Sequence, residues 1–236
     1  MALSRLKPVD VEETTPEDGK AGQTKVVVIS KPRFGYALIA IRGTAPYVQH
    51  KFSQKARAMI EARQRQGSRA RTRKERAARD FEEDFHNAMH RTKAGKPGIP
   101  ASAFRKALIS ACRLVSFTMT RAKLGLFIYP VAEFDEDGTP LVLISGEMFD
   151  PVAEPVRNET GVVDLRVRPK WKPGWRAVVP VRWDLDMFGP EDVLNLMSRA
   201  GEQVSIGEGR PDSPKSDGMG WGTFEVVQAL DDVESK

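Results

Sequence analysis

An α+β fold is predicted for this chain, with its elements in the order strand, helix, strand, strand, helix, strand. Three observations carry that expectation. Segments 36–42 and 176–187 are rich in β-branched residues or alternate apolar with polar side chains. Segments 102–116 and 190–200 repeat apolar residues at helical spacing behind a start signal. A glycine-rich stretch, 207–222, separates the second helix from a last strand at 223–229.

Taken in order, residues 1–25 are acidic, polar and punctuated by Pro and Gly, which predicts a disordered arm. Segments 25–30 and 36–42 read as strands, and Gly43 closes the second. Ser53 can cap a helix carrying Ala56, Met59 and Ile60, which ends near Gly67; 67–74 is a small, basic loop. A helix over 75–91 carries Ala78, Phe81, Phe85, Ala88 and Met89, and the prolines and glycines of 93–100 stop it. Ser102 caps the next helix, whose stripe is Phe104, Leu108, Ala111, Cys112 and Val115, with Arg105, Lys106 and Arg113 on its polar side. Strands at 124–134 and 141–145 flank the turn Asp135-Glu136-Asp137-Gly138, a hairpin by its turn chemistry. Residues 146–174 are loop-like, with a short strand at 165–168. In 176–187, Ala177, Val179, Val181, Trp183 and Leu185 share one face, and Pro180 argues for an edge or a bulge. Pro190, Glu191 and Asp192 open the last helix in agreement with its dipole.

Without a basic helical insertion (44–98) and a loop insertion (146–175), this order is the ferredoxin-like, RRM-like βαββαβ arrangement of many single-strand nucleic-acid binders. The expected domain runs over 26–230, followed by an acidic tail at 231–236.

Composition narrows the function. The 236 residues suit one large domain or two small ones, and 40% apolar with 29% charged residues is ordinary for a soluble chain. No apolar run approaches the roughly 18–20 residues of a membrane helix, and the start lacks a signal or transit pattern. The single cysteine, Cys112, excludes an internal disulfide and a cysteine-built zinc site, so a bacterial cytoplasm is expected. Net charge is +5, but residues 51–80 hold eleven cations against three anions, and eight of the eleven are arginine. Guanidinium pairs with phosphate bidentately, so Arg69, Arg71, Arg73 and Lys74 are candidate nucleic-acid contacts; the alternative is a solvated helix face.

Arg166, Arg168, Lys170, Trp171, Lys172, Trp175 and Arg176 interleave cations with two tryptophans. Such a stretch can stack unpaired bases, or the tryptophans can cover the core. The glycine-rich loop carries Arg210, Lys215 and Trp221 and follows a helix, the reverse of a P-loop or dinucleotide fingerprint. Its length predicts a contact with a bound strand or a neighbouring subunit. His86 and His90 are one turn apart with Glu82 before them, without a third ligand fixed by spacing. Asp80, Glu82, Glu83 and Asp84 balance the basic run or serve phosphodiester cleavage, and His50 lacks a defined partner. Cys112 reads as core. No catalytic residue, metal or cofactor is assigned.

The segment Ile99-Pro100-Ala101-Ser102-Ala103-Phe104-Arg105-Lys106-Ala107-Leu108 resembles the I-P-G-S-S-L-K-G-x-L-R opening of the first helix of RAMP proteins, which form the backbone of CRISPR effector complexes. Ala101 and Lys106 stand where that pattern has glycine, and Ile109 where it has arginine. Residues 36–43 with Thr44-Ala45-Pro46 are similar to the superfamily's first strand and its exit, and 207–222 to its C-terminal glycine-rich loop. The Gly-Glu-x-Arg-Pro and Gly-x-Gly ending also resembles small phage and prophage proteins. The resemblance implies that Ser102, Arg105 and Lys106 face a nucleic-acid backbone. A binder of this size covers few nucleotides of a single strand of RNA or DNA, so copies are expected to assemble side by side along it, away from membranes. The resemblance also leaves two rivals, a RAMP-type endoribonuclease using His50 or the acids near Asp80, and a phage component facing packaged genome.

Overall fold

The computed structural model describes residues 30–51, 61, 65, 80–157, 163–213 and 218–227. The chain divides into two units, Met1–Lys31 and Pro32–Lys236. The expected arm, the strand at 25–30, the basic loop 67–74 and the acidic tail lie outside the described residues. So does the helix after Ser53, apart from the helical residues Glu61 and Arg65.

The second unit is mixed α/β, with an antiparallel sheet and, among the described residues, four α-helices. Strand β1 (Phe34–Gly43) pairs along its length with β10 (Arg176–Asp184), from Phe34↔Asp184 to Arg42↔Arg176. On its other side β1 takes β11 (Phe224–Val226) through Ile41↔Val226. The far side of β10 is shared: β4 (Leu126–Ile128) pairs with residues 181–183, and β6 (Pro140–Ser145) with Arg176 and Ala177. Two short strands, β3 (Gly98–Pro100) and β5 (Glu133–Phe134), join β6. Separate two-stranded pieces are β2 (Tyr47–Val48) with β9 (Lys170–Trp171), and β7 (Ala153–Arg157) with β8 (Val163–Val167).

The core follows from strand alternation. Ile39 and Ile41 of β1 and Ala177, Val179, Val181 and Trp183 of β10 are buried on one face. Against them pack Phe104, Leu108 and Ala111 of α2 (Ala101–Ala111), and Val193, Leu196 and Met197 of α4 (Pro190–Arg199). Each fully buried side chain of this size stabilises the fold by roughly 1.5–3 kcal/mol. The backbone N–H of Gly189 donates to Asp192 Oδ2 at 2.8 Å, which fixes the start of α4. After α4 a wider helical turn, Ala200–Val204, brings Gly201 so close to β11 that a Cβ there would sit 2.1 Å from the Phe224 carbonyl. The remaining helices are α1 (Phe81–Asn87), capped by Asp80 through the N–H groups of Glu82 and Glu83, and α3 (Met119–Gly125).

Several expectations are corrected. The helix expected to 91 ends at Asn87, although Ala88 and Met89 are buried beyond it. The helix over 102–116 becomes a 3₁₀ turn at Cys112–Val115, closed by Ser116 at φ 55°, and Val115 is exposed. Ser102 is no N-cap; Pro100 occupies that position, and Ser102 lies exposed within the first turn. The single strand expected at 124–134 divides into the end of α3, then β4, which leaves for β10, and β5, which keeps the hairpin with β6. The loop at 146–174 contains the β7–β8 hairpin and β9. Strand β10 is central despite Pro180. The Pro180 carbonyl accepts from the Tyr129 N–H, so its ring nitrogen points to the same side, where the ladder passes from β6 to β4.

Candidate nucleic-acid interface

The glycine-rich loop borders a groove of about 1130 Å³ shared with α2, α3 and the segment after β2. Five loop glycines, Gly207, Gly209, Gly218, Gly220 and Gly222, have φ between +68° and +81°. That region is unfavourable for residues with a Cβ, and it explains the loop's composition. The loop is also pinned: the Glu208 N–H donates to the Val48 carbonyl at 3.0 Å, and the Gly222 N–H to Pro46 at 2.7 Å. A Cβ at Gly222 would lie 1.7 Å from the Ile206 carbonyl. Gly222→Ala is therefore expected to cost about 1–3 kcal/mol, a fall of several degrees in Tm by circular dichroism.

The structure brings Ser102, Arg105, Lys106, Arg168, Arg210 and Trp221 to this groove, although they come from three distant stretches. Ser102 and Lys106 are exposed on α2, and Lys123 of α3 joins them. Arg105 has a different task. Its Nε donates to the Leu126 carbonyl (2.9 Å) and its Nη2 to that of Lys123 (2.6 Å), so it ties α2 to the α3–β4 junction. Arg210 donates through Nη1 to the Gly207 carbonyl (3.1 Å) within the loop. Lys170 lies 4.3 Å from the Trp221 ring centroid and pairs with Glu154 at 3.2 Å. Arg69, Arg71, Arg73, Lys74 and Lys215 lie outside the described residues.

Trp171 and Trp175 are core residues, 1% and 0% exposed, and the stacking role is withdrawn for both. Each ring lies about 5.5 Å from Tyr47, at 5.4 and 5.5 Å between centroids, and Trp175 Nε1 donates to the Ala45 carbonyl at 2.9 Å. The alternation of cations and tryptophans arises because Trp171 of β9 and Trp175, just before β10, both turn inward.

Arg168 is the deepest cation of the groove, its side chain 10% exposed, and it is ion-paired with Glu208 of the loop. Arg168 Nε and Glu208 Oε2 are both buried without a hydrogen-bond partner. Unmet buried donors and acceptors of this kind are costly and uncommon. Beside them, packing around the ring and the nearby Arg168 hold the His50 pKa below its ordinary value, so His50 adds no positive charge at neutral pH.

A second cluster borders the groove through His90. The Asp135 side chain is fully buried; Oδ1 accepts the N–H groups of Asp137 and Thr139, both at 2.9 Å, and Oδ2 lies 2.9 Å from His90 Nδ1 and 3.3 Å from Lys51 Nζ. Burial opposes ionisation, but His90, the Thr139 amide and Lys51 together lower the carboxyl pKa to about 2. Burial outweighs Asp135 at His90, whose pKa is lowered. His86 faces Arg91 instead, with Nη2 3.4 Å from its Nδ1. On the loop's other arm, Asp212 joins Ser110 and Arg113 of the α2 region, the latter at 2.6 Å. Sequence reading missed Lys123, which no motif marks, and Glu208, Asp212 and the His90–Asp135 pair, whose partners lie 40 or more residues away.

The groove thus carries the exposed Ser102 hydroxyl and the exposed Lys106 and Lys123, beside an Arg168 guanidinium paired with Glu208 and the carboxylates of Glu154 and Asp212. No protein-family model matches the chain, and no curated protein matches it.

Proposed function

We propose that the chain binds single-stranded nucleic acid without sequence readout and assembles as a filament along it, with the groove as the seat of the phosphate backbone. One observation carries this reading: Ser102, Lys106, Arg168, Arg210 and Trp221, each singled out from sequence for strand contact, line one groove. The order β1, α2, β4, β10, α4, β11 and the antiparallel sheet support a ferredoxin-like core as its frame. The RAMP resemblance is in keeping with it, since two of its three segments, 99–108 and 207–222, flank the groove. A bacterial or phage-infected cytoplasm is the proposed setting. Among the described residues no helix is long and apolar enough to cross a membrane.

Fluorescence anisotropy with labelled single strands of DNA and RNA, over a range of salt, tests the reading. Lys106→Ala with Lys123→Ala should weaken binding alike for all sequences and remove roughly 0.7 from the log–log salt slope per lost phosphate contact. Alanine at Arg69, Arg71, Arg73 and Lys74 should flatten the slope further. Absence of binding by the wild type sinks the proposal.

The rival endoribonuclease reading is favoured by one arrangement, His90 held by a buried carboxylate at the groove that also takes His50. Under the proposed function the wild type leaves labelled RNA uncut with or without divalent metal. Metal-independent cleavage that His90→Ala or His50→Ala abolishes would transfer the assignment to the enzyme.

A further inference from the structure

The sheet face opposite α2 and α4 carries a chemistry the groove does not use. Along β1, Phe34, Tyr36 and Leu38 point outward, with Tyr36 51% exposed; just after β4, Tyr129 is 55% exposed. Arg182 of β10 stands directly opposite Tyr36 in the ladder. Its guanidinium carbon lies 4.5 Å from the Phe34 ring centroid, 5.0 Å from Phe127 and 4.9 Å from Tyr129. Its Nε is buried without a hydrogen-bond partner, and among the described residues Arg182 makes no ion pair. At the rim Arg33 pairs with Asp186 at 2.5 Å and Arg42 with Glu225 at 2.6 Å, and Arg176 and Asp184 stand at the two ends of β10 on the same face as Arg182.

We propose that this face is a second contact surface for the strand, on which unpaired bases stack against Tyr36 and Tyr129 while Arg182 meets a phosphate. The inference rests on the single-strand reading above and extends it from backbone to base. Charge and shape select the occupant. Exposed rings flanking an uncompensated guanidinium ask for a flat apolar group joined to an anion, and a nucleotide supplies both. A second copy meeting this face in a two-fold contact centred on Arg182 would bring that side chain up to its own counterpart, like charge against like. Stacking tolerates every base, so the surface adds affinity without sequence preference.

The test compares two probes on the full-length chain: a labelled thymidine 15-mer, and a base-free strand of the same length and charge. The wild type should bind the thymidine strand about tenfold more tightly or better. Tyr36→Ala with Tyr129→Ala should lose that margin while keeping both base-free binding and the salt slope. A measurement without any variant accompanies it. Ultraviolet cross-linking of the wild type to an iodouracil 15-mer should mark the tryptic peptide spanning 34–42. A wild type that binds neither probe overturns the function and the inference together. Equal binding of the two probes, a margin retained by the double variant, or cross-links confined to the groove residues overturns the base-stacking face and leaves the groove standing. A double variant altered only in self-association by light scattering assigns the face to a second copy and likewise overturns it.

Discussion

Trp175→Ala is expected to lower the free energy of unfolding by about 3–5 kcal/mol, the range for emptying a fully buried tryptophan site. At about 2–4 °C per kcal/mol for a chain of this size, Tm should fall by roughly 6–20 °C. The side chain is wholly buried, and it touches three parts of the fold: Tyr47 at 5.5 Å, Phe224 of β11 at 6.2 Å, and the Ala45 carbonyl through its indole N–H. Gly43 is shaped around it, since a Cβ there would stand 1.9 Å from Trp175 Nε1. The surrounding backbone therefore has little room to collapse into the cavity. Trp171→Ala should behave similarly, with a smaller loss, because β9 is a two-residue piece held by β2 and by a single bridge to Met148 rather than by the main sheet. Thermal melts and strand titrations on the same samples separate the two roles once given to these residues. Unchanged melting with abolished binding would restore the stacking role; lowered melting with normal binding below the transition marks them as core.

The parts of this fold legible in the sequence are those in which a local pattern and the tertiary partner agree. Strand β1 and the four inward residues of β10 announce themselves by alternation, and α4 by Gly189-Pro190 with acids in the first turn. The glycine loop was legible for the same reason, since its positive φ angles admit little else. What escaped was decided at a distance. Nothing near Leu126 says that the chain should leave its hairpin and pair with residues 181–183, which are more than fifty positions away. Pro180 misled because the edge rule concerns the missing N–H, and here that nitrogen faces the one place where the ladder changes partner. Of the candidate site, the cations were found by residue type, but their duties were not. Arg105 and Arg168 look alike in sequence, yet one ties down backbone carbonyls and the other is buried against Glu208. The outward aromatics of β1 were legible as a strand but not as a surface, because Arg182 and Tyr129 reach them only through the sheet.

Asp135→Asn is expected to cost about 3 kcal/mol at pH 7, the lower end for breaking a buried charged cluster by removing one partner. It lies at that end because Lys51 keeps Asp137 at 3.1 Å and some access to solvent. The pH dependence distinguishes this cause from simple loss of packing. In the folded protein the Asp135 carboxyl is held at about 2, below its ordinary 3.8, so its contribution is complete above about 3.8 and is lost as pH falls toward 2. His90 acts over a higher window in the same direction. Its folded pKa is lowered from 6.5, so the unfolded chain takes up the proton first and stability declines as pH drops below that value. Urea unfolding of the wild type should therefore show stability falling in two stages, below about 6.5 and again below about 3.8. In Asp135→Asn the second stage should shrink, and the gap between variant and wild type should close as the wild-type carboxyl is protonated. A gap that stays constant from pH 7 to pH 2.5 would mean that the asparagine disturbs only packing, and that the Asp135 charge contributes nothing to holding Lys51 and His90 beside the groove.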